Sequence, residues 1–124
     1  MEFSVRIDLD RGIVIVDAVG ALTRSGTVKM VGAARAAGAS KGGLPILFDL
    51  RQASPGELSK ADLFWMARNT PALRDGHSKV RIGTLFPAQH GGTARFWEDS
   101  YRNAGLDARA FEDEEEALDW LLQR

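Results

Sequence analysis

The sequence predicts an α/β domain on a mixed five-stranded sheet: an N-terminal antiparallel hairpin, then alternating helices and parallel strands, with four main helices. Three observations carry this expectation. The first ten residues alternate apolar and polar side chains and end in a turn. Two later segments, Leu44 to Leu50 and Val80 to Phe86, are more continuously apolar, as strands covered on both faces are. Helical periodicity fills the intervals between them.

Phe3, Val5, Ile7 and Leu9 alternate with Ser4, Arg6, Asp8 and Asp10, the period that gives a strand one dry and one wet face. Asp10, Arg11 and Gly12 supply turn chemistry before a second strand, Ile13 to Val19, so the pair reads as a hairpin. A helix between Thr23 and Ala37 places Met30, Ala33, Ala34 and Ala37 on one face, a small-residue surface suited to close approach to the sheet. Gly26 and Gly32 weaken that helix, and Gly38 with the Lys41, Gly42, Gly43 stretch ends it. After the Leu44 to Leu50 strand, a second helix begins near Ser59. There Asp62 completes an acidic variant of the capping box, and Leu63, Met66, Ala67 and Thr70 turn inward before Pro71. Beyond the Val80 to Phe86 strand, a third helix aligns Ala94, Trp97, Tyr101 and Ala104 and stops at Gly105. A short strand, Asp107 to Phe111, then leads to Asp113 as the cap of a final helix. Glu114 to Glu116 suit the positive end of its dipole, and Ala117, Leu118, Leu121 and Leu122 form its buried stripe, with Trp120 alongside.

A length of 124 residues fits a single domain spanning 1–124. The absence of cysteine excludes disulfides, thiolate metal sites and cysteine nucleophiles, and makes the reducing cytoplasm the expected location. With 16 Lys and Arg against 17 Asp and Glu, the net charge of -1 gives no broad attraction for nucleic acid. Glu2, Arg6, Asp8 and Asp10 interrupt any signal-peptide pattern. Apolar runs such as Ile13 to Val16 fall far short of the roughly 20 residues a spanning helix needs, so no membrane insertion is expected. His77 and His90 have no partner at metal-ligand spacing, and no cofactor is expected.

Gly20, Leu22 and Thr23 after the second strand, the run Leu47, Phe48, Asp49, Leu50, Arg51, and the Phe111 to Leu121 tail together carry a family likeness. Over nearly its whole length the chain resembles the STAS-like family typified by bacterial anti-sigma-factor antagonists, in particular its branch of stand-alone bacterial domains. The resemblance implies a compact sheet with four helices and a module that is usually non-enzymatic. Antagonists of that family carry a regulatory serine before the second helix, preceded by an aspartate and followed by another serine. The matching positions here are Leu58, with Glu57 in place of the aspartate and Ser59 in place of the second serine, so the switch residue is missing.

In a parallel α/β sheet, strand carboxyl ends and helix N-termini gather on one edge, which favours anions and ligands. That edge is expected to carry Thr23, Asp49, Arg51, Ser54, Ser59 and the Gln89 to Thr93 turn with His90, as a ligand or regulatory site. Ser59 reads as a helix cap or as a phosphorylation site, the cap being favoured. Asp49 and Arg51 read as a polar ligand site or as a structural pair. A Ser-His-Asp triad can be drawn from Ser54 or Ser59, His90 and Asp49, but no nucleophile-elbow sequence surrounds either serine, so no catalytic residue is assigned. Phe64 with Trp65, and Phe96 with Trp97, are successive on their helices and about 100° apart, so one ring of each pair leaves the centre of the buried stripe. These four rings read as a candidate interface or as a wide buried face on helices wedged beside their neighbours, and a homodimer is expected through the second or third helix. The leading functional expectation is a non-enzymatic module that acts on an unidentified protein partner. The alternatives are a domain that binds a small apolar or lipid-like ligand, and, third, a hydrolase.

Overall fold

The computed structural model describes residues 1–56, 58–69 and 80–124, and its sheet and helices match the expected class. The elements are β1 (Glu2–Asp8), β2 (Ile13–Ala21), α1 (Arg24–Ala39), β3 (Ile46–Ser54), α2 (Lys60–Asn69), β4 (Arg81–Leu85), a short 3-10 turn (Ala88–His90), α3 (Gly91–Asn103), β5 (Asp107–Phe111) and α4 (Glu114–Leu122). The five strands lie in sequence order across one sheet, with β1 antiparallel to β2 and the remaining pairs parallel. Glu57 and residues 70–79, which include the sequence assignments made for Thr70, Pro71 and His77, lie outside the described residues.

Three successive parallel crossovers of one hand put α1, α2 and α3 on the same face of the sheet. Met30, Val31 and Ala34 of α1, Leu63, Met66 and Ala67 of α2, and Ala94, Trp97 and Tyr101 of α3 share a core with Val14, Val16, Ile46, Phe48, Leu50 and Ile82. After β5 the chain crosses to the other side. There Ala117, Leu118 and Leu121 of α4 cover Ile13, Ile15, Leu47 and Leu85. Gly83 sets how closely α4 approaches, because a Cβ at this position would stand 3.0 Å from Leu121 Cδ1. β2, β3 and β4 thus carry apolar residues on both faces, the reason their sequences are nearly continuous in hydrophobicity.

Several boundaries differ from those read in the sequence. β1 ends at Asp8, and Leu9 belongs to the turn, where it is 69% exposed rather than continuing the dry face. Asp8 shapes this turn by accepting hydrogen bonds from Arg11 N–H (3.1 Å) and Arg11 Nε (2.7 Å), while Gly12 takes a left-handed φ of 67°. β2 continues to Ala21. The buried face of α1 is Thr27, Met30, Val31, Ala34 and Gly38, and Ala33 is exposed, because the helix is rotated toward Val31. β3 starts at Ile46 and extends to Ser54, four residues beyond its expected end. β4 stops level with Asp49, so the last part of β3 pairs with β2 alone and has no need of continuous apolar character. Among the described residues no helix is long and apolar enough to cross a membrane.

Candidate functional site

Thr23 and Ser59, two of the residues expected at the carboxyl edge, are occupied in capping helix N-termini. Thr23 Oγ1 accepts from Gly26 N–H at 3.0 Å and caps α1. Ser59 and Asp62 form a reciprocal cap on α2. Asp62 N–H donates to Ser59 Oγ (3.1 Å), and Ser59 N–H (3.0 Å) and its hydroxyl (3.1 Å) donate back to Asp62 Oδ2. The Ser59 N–H holds the Asp62 carboxyl below its ordinary value, and Arg24 Nη1 lies 3.9 Å from the same carboxylate. Leu58, at the position of the antagonists' regulatory serine, is half-buried against the core. Ser59→Ala is expected to lower stability by about 1 kcal/mol through loss of the cap. Chemical denaturation checks this, with an unchanged midpoint as the contrary result.

Ser54 and His90 do come together. They line a space of about 10 Å³ with Leu22, Leu50, Ala53, Phe86 and Thr93, at the carboxyl ends of β3 and β4. That volume admits about one water-sized group. A broader open groove of about 340 Å³ runs beside β5, between Pro87, Gly91, Arg95, Glu98, Phe111 and Glu112. Neither depression is an enclosed apolar cavity of the size that buries a lipid-like molecule.

Asp49 belongs to the opposite face, beneath the start of α4. Arg51 grips it twice, Nε to Oδ1 at 3.0 Å and Nη2 to Oδ2 at 2.7 Å, and the Arg51 N–H adds a third bond at 3.1 Å. Glu114 Oε1 stands 3.7 Å from Arg51 Nη2, so the pair also ties the first residue of α4 to the sheet. Burial works against ionisation of Asp49, but the hydrogen bonds from Arg51 outweigh it and hold the carboxyl below its ordinary value. The bond to Asp49 in turn raises the Arg51 guanidinium. A carboxyl depressed in the folded state contributes stability above its unfolded pKa of about 3.9, and loses it as pH falls through the folded value. Asp49→Asn is therefore expected to be less stable than the parent chain at pH 7, with the gap narrowing toward pH 3. A gap independent of pH contradicts this assignment. With both Asp49 oxygens bound to Arg51 and Ser59 bonded to Asp62, the Ser-His-Asp arrangement drawn from the sequence is not assembled. Among the described residues no group of three His, Cys, Asp or Glu side chains could hold a metal ion.

The aromatic residues divide differently from the expected interface. Trp97 is only 2% exposed and packs edge-on against Phe86 (5.7 Å, 71°) and tilted against Tyr101 (5.0 Å), so it is core and not surface. It shares the inward phase of Ala94 and Tyr101 on α3. Burial raises the Tyr101 phenol well above its ordinary range. Phe96, one position earlier, sits half-buried on the flank. On α2, Leu63, Met66 and Ala67 take the inward face and leave both Phe64 (50% exposed) and Trp65 (40% exposed) on the outside. Each of the three outer rings lies under a cation. Arg24 is 3.6 Å from the Trp65 centroid, Arg68 is 4.2 Å from that of Phe64, and Lys60 is 5.6 Å from that of Phe96. Arg24, Lys60 and Arg68 were not singled out in the sequence. The four-residue spacing of Phe64 and Arg68 was the signal available for one of them. Trp120 is half-buried, tilted against Phe111 at 5.7 Å with Arg81 and Arg109 nearby.

Comparison with known proteins adds a likeness of fold. No family model matches the chain, and no curated protein does. Among solved structures, the chain is similar to an uncharacterised protein of the DUF3478 family, with a SpoIIAA-like fold, from Shewanella loihica PV-4. The TM-score is 0.58 and the identity 21%, over 97% of this chain and 92% of the other. The fold is thus SpoIIAA-like, the one expected from the resemblance to anti-sigma-factor antagonists.

Proposed function

We propose that this SpoIIAA-like domain is a non-enzymatic module that works through protein contacts made by the outer face of α2, and that the contact joins two copies of the chain. The observation that carries the reading is the exposed pair Phe64 and Trp65 under Arg68 and Arg24, with Phe96 under Lys60 beside them. Aromatic residues and arginine are the residue types enriched at interface centres. A two-fold contact must be self-complementary, since the same patch meets itself. Rings and cations interleaved on one surface meet that condition, because each copy's cations can stack on the other's rings. The non-enzymatic part of the proposal is supported by the roles of the polar candidates: Thr23 and Ser59 cap helices, and Asp49 and Arg51 hold each other.

The test is sedimentation of the parent chain and of Phe64→Ser/Trp65→Ser at micromolar concentration. The parent is expected at twice the mass of the chain and the variant at the mass of one, with unchanged circular dichroism. A parent that sediments as a single chain, or a variant that remains paired, rejects the proposed contact.

A further inference from the structure

β5 is a terminal strand of the sheet, so its outer side offers backbone groups that an edge-to-edge neighbour could take. Two of these groups are already engaged, by side chains of α3. Glu98 Oε2 accepts from Ala110 N–H at 2.9 Å, and Arg102 Nε donates to the Ala108 carbonyl at 3.0 Å. In a parallel ladder, one residue of an incoming strand donates its N–H to a carbonyl on the edge and accepts from an N–H two residues further along. Ala108 C=O and Ala110 N–H are such a pair, flanking Arg109. The guanidinium takes the place of the incoming N–H and the carboxylate that of the incoming C=O.

The two side chains are themselves linked, Arg102 Nη1 to Glu98 Oε1 at 3.5 Å, four residues apart on α3 with the acid on the N-terminal side, the favourable orientation. Bonds from charged groups to the backbone are stronger than neutral ones, so the arrangement competes well with a peptide strand. The inward residues of α3 are Ala94, Trp97, Ser100 and Tyr101, which leaves Glu98 and Arg102 free of any part in the core. We infer that Glu98 and Arg102 form a latch that stands in for one residue of a sixth strand and keeps the β5 edge from pairing with a second copy of the chain.

The test compares the parent chain with Glu98→Ala/Arg102→Ala, both also carrying Phe64→Ser and Trp65→Ser so that the α2 contact plays no part. The unlatched chain is expected to gain mass with concentration in sedimentation while its partner does not. Adding Ala110→Pro, which removes the outward N–H at an edge position that tolerates proline, is expected to restore the lower mass. In dilute solution, Ala110 amide exchange is expected to speed up roughly tenfold on unlatching, the effect of losing one hydrogen bond. Equal mass at all concentrations, or association that survives Ala110→Pro, overturns the inference. Should the unlatched chain not fold, exchange in the parent decides: a protected Ala110 amide supports the latch, and an amide that exchanges freely overturns it.

Discussion

Trp97→Ala is expected to lower the unfolding free energy by about 3–5 kcal/mol, the range for truncating a large buried aromatic residue. The ring lies between Phe86 and Tyr101 in the core shared by the sheet and the three helices on one face. Its removal leaves a cavity that those neighbours only partly fill, since Phe86 is tied to the end of β5 by its backbone N–H and Tyr101 is fixed on α3. Equilibrium denaturation of the two chains measures the effect. A Trp97 variant of near-parent stability would place the ring outside the core and return it to the surface role suggested by its pairing with Phe96 in sequence.

The second large effect is expected on the opposite face. Leu121→Ala removes a buried side chain from the small core under α4, at a cost of about 2–5 kcal/mol. Gly83→Val is expected to be destabilising as well, by about 1–3 kcal/mol, since its branches enter space that Leu121 occupies. The two changes touch one another, so they are not expected to add. In the Leu121→Ala background the valine finds room, and the double variant should be more stable than the sum predicts by about 0.5–3 kcal/mol. Simple additivity across this double-mutant cycle would show that Gly83 does not set the approach of α4.

The sequence was most readable where the signals were local. Asp113 accepts from Glu116 N–H at 3.0 Å and starts α4 where expected, Gly105 follows the end of α3, and β5 has the boundaries assigned from its short apolar pattern. The tail of β3 was less readable because Gln52 to Ser54 pair with β2 alone, past a register shift, and carry no apolar run to mark them as strand. The phase of α1 was ambiguous for a different reason. Ala33, Ala34, Ala36 and Ala37 surround the helix with small residues, so Val31 rather than the alanine pattern decided which side faces the sheet. At the candidate site, the adjacent aromatics showed that some rings must leave the core, and Trp97 also stood in the inward stripe with Ala94 and Tyr101. Local pattern did not say which role prevailed. Arg24 reaches Trp65 from another helix, a contact no spacing within α2 encodes. Glu98 and Arg102 resemble an ordinary exposed helix pair until β5 is placed beside them.

The contact proposed to join two copies of the chain lies on the outer face of α2. Intermolecular NOEs in an equal mixture of isotope-labelled and unlabelled chain address it residue by residue. Contacts between copies are expected from the rings of Phe64 and Trp65, flanked by Phe96 and the side chain of Arg68. Contacts between copies that instead involve the exposed face of β1, or none from these rings at concentrations where the mass is that of a pair, would contradict it.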